Sequence, residues 1–579
     1  MNEVDSQPQP NAHAALQTPT RKRLLLDDTL LLGIMGTLAG CGLIYEYLLS
    51  YYAGRVLGAV ETTLFAMIGI MIVAMGVGAF LARWFRSPFS AFAWLETLIA
   101  LIGSTSILVI AAAFALTALL PDIVAEQFAL PADLAPQGGW ISDLSTFIET
   151  APFVIGFILG ALIGMEIPLI ARVREHLHQK HLLHNAGTIY GADYIGAGLG
   201  AAVWVFFMLQ INIHHAAALT ACVNLIAGLI FILRYREHVR RLTALLIFNV
   251  FIFFVVILVA FYGGDLEHQM EDMLYTDKVV FSTDTQHQHL TITRRILSAH
   301  EAPIYSLFIN GRTQFSSGDE HIYHSFLVYP AMTLSAKHER VLIIGGGDGL
   351  ALRDALKWQP KEVVLLDLDP KLVSLFKSPL VVEGEFINRS LLELNEYAFS
   401  DPRVSVRYGD AFISVDQLIR ERQSFDTIIV DLPDPNHPNL NKLYSSRFYN
   451  KLKMLLNPNG ALSVQSTSPY HAQKAFLSIA KTLRHAGFSQ VEQYHHNVPS
   501  FGEWGWSIAT LQTTAPSQRL RQMEKLPVEH HWLTLPLLLA SFEFGADFFN
   551  EMDAIEINRL GSHVLYQYYQ QGWRNTLGG

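Results

Sequence analysis

The chain has 579 residues, 51% hydrophobic and 16% charged, with a mean hydropathy of +0.27. Soluble globular proteins carry about 25% charged residues, so the depletion points to bilayer-embedded segments. A formal net charge of -10 argues against a nucleic-acid binder, and the two cysteines, Cys41 and Cys222, lie in apolar stretches that offer no disulfide framework or cysteine-based metal site.

Residues 1–23 form a polar, Pro- and Gln-containing opening that is expected to be a disordered cytoplasmic tail ending in Arg21-Lys22-Arg23. The apolar run that follows continues for about twenty residues without a small-residue cleavage site, which predicts a retained membrane helix rather than a signal peptide. Residues 24–263 read as a multi-span transmembrane domain. Its seven apolar stretches are 29–52, 61–82, 90–120, 147–171, 187–210, 214–233 and 242–262. Glycines recur in them (Gly69, Gly76, Gly78, then Gly187, Gly191, Gly196, Gly198, Gly200), the pattern that lets membrane helices pack closely. Glu46, Glu166 and Asp193 lie within or at the edges of the spans. They read either as a cation path or polyamine contact, or as interhelical hydrogen bonds. Arg21 to Arg23, Arg83, Arg86, Arg172, Arg174, Lys180, Arg234, Arg236, Arg240 and Arg241 cluster on alternate connections, while 121–146 is acidic. The positive-inside rule therefore puts the N-terminus in the cytoplasm, and seven spans send the C-terminal half to the opposite face.

After residue 263 the composition becomes that of an ordinary soluble domain. Residues 264–335 read as a small β subdomain with strands VVFST, HLTITRRIL and IYSLFING. Residues 336–529 alternate apolar strands with helical segments: RVLIIGGG (340–347), EVVLLDLD (362–369), VSVRYGDA (404–411), DTIIVDLPDP (426–435) and GALSVQST (460–467). That alternation predicts a parallel α/β sheet covered on both faces, with ligands beyond the carboxyl ends of its strands. Residues 530–579 form a C-terminal helical extension.

The strand ends carry the chemistry. Gly345-Gly346-Gly347-Asp348-Gly349 allows a ligand close to the backbone, and Gly345 and Gly347 serve that turn. Leu350 stands where a dinucleotide fingerprint has its third glycine, and Asp348 would repel a pyrophosphate but attract an amine. Asp367, about twenty residues on, is spaced to grip ribose hydroxyls. Asp410, in Gly409-Asp410-Ala411, would meet an adenine amino group. Asp431 and Asp434, stiffened by Pro433 and Pro435, make a fixed carboxylate pair at the same edge. His287, His289, His495, His496, His530 and His531 form no metal pattern and read as polar surface.

GGGDG (345–349), LDLD (366–369), DPRV…GDA (401–411) and FDTIIVDLPDP (425–435) together resemble the spermidine synthase, or polyamine aminopropyltransferase, family. The segment NGRTQFSSGDEHIYHSFLVYPAM (310–332) resembles that family's stretch before the first sheet strand, and residues 45–82 resemble a bacterial membrane-fused group. The resemblance implies a Rossmann-like, methyltransferase-type sheet behind a small β-strand subdomain. It also implies aminopropyl transfer from decarboxylated S-adenosylmethionine, a co-substrate, to putrescine or a related polyamine. No permanently bound cofactor, metal or nucleic acid is implied. By the resemblance, Gln288, Asp367, Asp410, Ala411 and Pro438 would contact the nucleoside. His324 and Asp348 would face the polyamine and aminopropyl group. Asp431 would accept the proton and Asp434 would bind a second amine, with Gln314, Tyr323 and Gln465 lining the pocket. The chain departs from the family at Ser325, usually Glu, and at Leu432-Pro433, both near the acceptor.

Two other readings stay open: an S-adenosylmethionine-dependent methyltransferase, and a polyamine-binding membrane transporter or sensor with an inactive enzyme domain. The expected location is the cell (inner) membrane, multi-pass. The implied donor favours a cytosolic enzyme domain and the charge count the opposite side. A homodimer follows from the family resemblance.

Overall fold

The computed structural model describes residues 21–57, 60–128, 139–178, 185–298, 300–382 and 385–577. Residues 1–20 of the tail expected over 1–23, as well as Asp133 and Lys180, lie outside them, and Arg21 to Arg23 are corrected from disordered tail to the opening turn of the first helix. The chain divides into two compact units between Thr276 and Asp277.

The first unit is helical: α1 (Arg21–Leu57), α2 (Val60–Leu81), α3 (Pro88–Gln127), α4 (Trp140–Glu149), α5 (Ala151–His178), α6 (Asn185–Phe206), α7 (Ile213–Arg234) and α8 (Leu242–Asp272). All but α4 are long and apolar enough to cross a membrane, by length and composition. The stretch expected over 147–171 is divided: its first three residues end α4, and the rest, from Ala151, lies in α5. The glycines divide in their roles. A Cβ added to Gly78 would stand 1.9 Å from the Ala161 carbonyl oxygen, and one on Gly196 would stand 1.9 Å from that of Gly36, so α2–α5 and α1–α6 touch backbone to backbone there. Gly69, Gly76, Gly187, Gly191 and Gly198 meet nothing within 4 Å and are not packing glycines. Glu166 is buried on α5. Glu96 on α3, which hydropathy did not single out, is also buried and accepts from Asn224 Nδ2 at 3.0 Å.

Polar pairs mark the two ends of the bundle. Arg174 lies 3.0 Å from Asp28 and Arg234 lies 2.6 Å from Asp27, which joins the start of α1 to the ends of α5 and α7. Glu267 near the end of α8 pairs with Arg55 at the end of α1, and with His214 at the start of α7 at 2.7 Å.

The second unit opens with an antiparallel meander of β1 (Lys278–Asp284), β2 (His289–Arg295), β3 (Ile304–Ile309) and β4 (Arg312–Ser316). α9 (Glu320–Leu334) follows, then β5 (Arg340–Gly345), α10 (Leu350–Leu356), β6 (Glu362–Asp367), α11 (Pro370–Lys377) and the short pair β7 (Val381–Val382) and β8 (Glu385–Phe386). The chain continues through α12 (Arg389–Leu394), β9 (Val404–Tyr408), α13 (Ala411–Arg420), β10 (Phe425–Asp431), α14 (Ser446–Leu455), β11 (Leu456–Gln465), α15 (Gln473–His485), β12 (Gln490–Val498) and β13 (Gly502–Thr510). It ends with α16 (Pro516–Leu520), α17 (Leu535–Ala540) and α18 (Val564–Leu577).

The large sheet has the order β12-β13-β11-β10-β5-β6-β9. Alternate residues of its strands point to opposite faces: Val341 and Ile343 join one apolar cluster, Leu342 and Ile344 the other. The five predicted strands are parallel. The expectation of a wholly parallel sheet is corrected, because β13 runs antiparallel between β11 and β12. Antiparallel strands on an otherwise parallel sheet are common, and the connection Pro499-Ser500-Phe501 between β12 and β13 is too short for a crossover, so these two strands pair as a hairpin.

Domain limits shift as well. α8 runs on to Asp272, past the expected boundary at 263, and α9 buries Phe326 and Tyr329 in the same cluster as Ile343. The C-terminal extension packs on this unit, with Leu535 and Leu538 in one sheet-face cluster and Leu565 and Tyr569 in the other.

Candidate active site

The strand order reverses between β5 and β10, where Gly345 pairs with Asp431 in register. Gly345 has φ +81°, and a Cβ there would stand 1.9 Å from the Asp431 carbonyl oxygen, so only glycine passes between these strand ends. A Cβ on Gly347 would stand 2.7 Å from Asp367 Oδ2, so the loop lies against the end of β6 too. Asp348 follows, and its Oδ1 accepts from the Leu350 amide at 2.9 Å.

Asp431 is the hub. Tyr323 on α9 donates to its Oδ1 at 2.8 Å, and His324 Nε2 lies 4.0 Å from Oδ2. The other ring nitrogen, Nδ1, lies 2.9 Å from Glu320 Oε2, and Arg353 binds both Glu320 oxygens at 2.7 and 3.1 Å. His324 is 2% exposed and Glu320 is 4% exposed. Burial favours the neutral ring, but the bond to Glu320 and the charges of Glu320, Asp348 and Asp431 lift His324 to about 9. Burial pulls Glu320 up, and the His324 and Arg353 bonds overcome it and hold the carboxyl at about 2. Burial pushes Asp431 to about 6 against the pull of the His324 charge and the Tyr323 bond, and it raises Asp348 as well.

Asp434 makes a second station. Gln465 Nε2 donates to it at 3.3 Å and also to the Leu432 carbonyl at 2.8 Å. Tyr444 anchors the turn by donating to the Pro433 carbonyl at 2.8 Å. Burial pushes Asp434 to about 6, opposed by hydrogen bonding from Tyr569 and Gln465 and by the charge of Arg312.

On the nucleoside side Asp367 accepts from the Asp369 amide at 2.8 Å, and burial, with the charges of Asp369, Asp348 and Asp431, pushes it to about 7. Asp410 caps α13 through the Phe412 amide at 2.9 Å and pairs with Lys442, so its carboxylate is committed locally. Ala411 begins α13, Pro438 begins a short 3-10 turn, and Gln288 is half-buried in the β1–β2 turn. Gln314 donates to the carbonyls of Arg312 and Thr313 at 3.2 and 3.3 Å.

The fold thus gathers Tyr323, His324, Asp348, Asp367 and Asp431 around one strand crossing, with Asp434 and Gln465 beside them. Among the described residues, Gln288, Gln314, Asp410, Ala411 and Pro438 make no hydrogen bond to this group. Ser325 does not face it either: its hydroxyl donates back to the Ile322 carbonyl at 3.0 Å, and the acid beside His324 is Glu320. The sequence reading missed Glu320, Arg353, Tyr444, Tyr569 and Arg312. Only Glu320 had a local signal, four residues before His324 on one helix face. His289 is corrected from surface to interior: it is 7% exposed and lies 2.7 Å from Asp284. Its place in β2 buries the ring.

The Spermine/spermidine synthase domain family matches residues 320–521. A polyamine aminopropyltransferase of Shewanella oneidensis is 56% identical over 552 residues, covering 95% of this chain and 96% of that one. Polyamine aminopropyltransferase 1 of Streptomyces coelicolor is 34% identical over 93% of each chain. A solved spermidine synthase in complex with the transition state analogue AdoDATO aligns over 48% of this chain and 90% of its own, at 22% identity and a TM-score of 0.40. With relatives of such identity matched along both units, the chain belongs to the spermidine synthase (polyamine aminopropyltransferase) family and is an enzyme of that type.

Proposed function

We propose that the protein transfers the aminopropyl group of decarboxylated S-adenosylmethionine to putrescine or a related polyamine, giving spermidine and methylthioadenosine. The observation that carries this reading is Asp431, held by Tyr323 at 2.8 Å at the β5–β10 crossing, with Asp348, Asp367 and Asp434 at the same edge. The neutral amine nitrogen attacks the aminopropyl carbon bound to the sulfonium. The C–N bond forms as the C–S bond breaks, sulfur keeps the electron pair and becomes a thioether, and the proton on nitrogen passes to Asp431. Such a step needs placement in line more than activation. Alkylammonium groups have pKa values near 10.4, so a carboxylate that takes up the proton is needed at neutral pH. Asp348 and His324 line the aminopropyl and attacking nitrogen, with the His324 charge balanced by Glu320. Asp434 and Gln465 hold the remote ammonium. Asp367 takes the ribose hydroxyls, while Gln288, Asp410, Ala411 and Pro438 frame the nucleoside. Tyr323 and Gln314 complete the lining.

Full-length protein in detergent, given labelled donor and putrescine, should yield labelled spermidine and methylthioadenosine. A methylated product would instead identify a methyltransferase, and binding without turnover a sensor or transporter.

We further propose that the seven long helices cross the cell (inner) membrane, with the bilayer as their partner, and that the second unit works in the cytosol, where its donor is made. With seven crossings, this placement puts the end bearing Arg174 and Arg234 outside, against the positive-inside tendency. A reporter fused to the C-terminus decides the side: a signal from the outer face overturns the cytosolic placement. The homodimer rests on the family resemblance and is tested by light scattering of the purified protein.

A further inference from the structure

α18 lies outside the matched family segment, yet it brings a side chain to the site. Tyr569 is 3% exposed and directs its phenol at the Asp434 carboxylate. Arg312 at the start of β4, 257 residues earlier, donates from Nη1 to the same phenol oxygen at 3.4 Å. Arg312 is exposed as a residue while its bond to Tyr569 is partly buried, and its charge draws the Asp434 carboxyl down. A cation thus stands beside Asp434, the last in chain order of the acids Asp348, Asp431 and Asp434.

We infer that Arg312 and Tyr569 form the far wall of the acceptor site and set its length to that of a linear diamine. This rests on the aminopropyl-transfer reading. A diamine with one nitrogen at Asp431 places its other nitrogen, as an ammonium, at Asp434 and ends there. A linear triamine carries a further ammonium, which would meet the Arg312 guanidinium. Like charges so placed discriminate against that acceptor, a specificity built by repulsion as well as by attraction. Tyr569 takes the other part: its hydroxyl orients the Asp434 carboxylate toward the diamine while accepting from Arg312.

The test measures kcat/KM for putrescine and for spermidine as acceptors, with full-length protein in detergent. Wild type should favour the diamine. Arg312→Gln should raise the spermidine-to-putrescine ratio by about tenfold, and Arg312→Lys, which keeps the charge, should leave it near wild type. Tyr569→Phe should raise KM for putrescine by about fivefold to tenfold with kcat little changed, the signature of lost ground-state binding. An unchanged ratio in an active Arg312→Gln enzyme overturns the inference and leaves the reaction standing. A wild type that uses both amines equally overturns it too. A wild type that transfers to neither overturns the reaction reading, and the inference with it.

Discussion

The phenol of Tyr323 donates to Asp431 Oδ1 at 2.8 Å, joining a helix residue to a strand end 108 residues away. The bond fixes one carboxylate oxygen and leaves Oδ2 as the open acceptor. Asp431→Asn should therefore lower kcat by about 10²- to 10⁴-fold, the usual range for loss of a general base, with donor affinity retained. Tyr323→Phe should cost roughly 1 kcal/mol of transition-state stabilisation, about fivefold in kcat/KM. Steady-state kinetics and donor-binding calorimetry check both; an Asp431→Asn enzyme of wild-type rate would remove Asp431 from the proton path.

Glu320 holds His324 and Arg353 together in a buried network. Glu320→Gln leaves two buried cations short of their counter-charge. Breaking one partner of such a group costs about 3–5 kcal/mol, so the thermal midpoint should fall by several degrees. The raised pKa of His324 should fall with it, visible as an alkaline limb of the rate profile moving toward neutral.

The acids raised by burial fix a sign for pH. Asp431, at about 6, is a competent base only when deprotonated, so kcat/KM should climb through pH 6 and stay level until the alkaline limb that His324 sets near 9. Stability runs the other way. Asp367 is raised from the ordinary aspartate range to about 7, so the folded chain holds its proton more tightly than the unfolded chain. Its contribution is complete below about pH 4 and is lost as pH rises through 7. Melting of the ligand-free protein should show Asp367→Asn gaining on wild type between about pH 4 and 7; parallel curves would contradict the assignment.

Gly78 and Gly76 make a matched pair on α2. An added methyl meets the Ala161 carbonyl oxygen at 1.9 Å from Gly78, but nothing within 4 Å from Gly76. Gly78→Ala should force α2 from α5 at a cost of about 1–3 kcal/mol. Gly76→Ala should leave the melting temperature in detergent unchanged or slightly higher, since alanine favours the helix.

What the residues determine locally was legible without the fold. Seven apolar runs became seven long helices, and the apolar strands ending in Gly345, Asp367, Tyr408, Asp431 and Gln465 lie where the pattern put them. Hydrophobic runs and turn residues act over a few positions, so a linear reading captures them. Only the tertiary structure brought Tyr569 and Arg312 to Asp434, joined Arg353 to Glu320, put Asn224 on Glu96, inserted β13 antiparallel into the sheet, and separated Gly78 from Gly76. Each of these depends on two distant segments meeting, and the free energy of such a contact comes from burial and paired charge. Neither leaves a periodic trace in either segment alone.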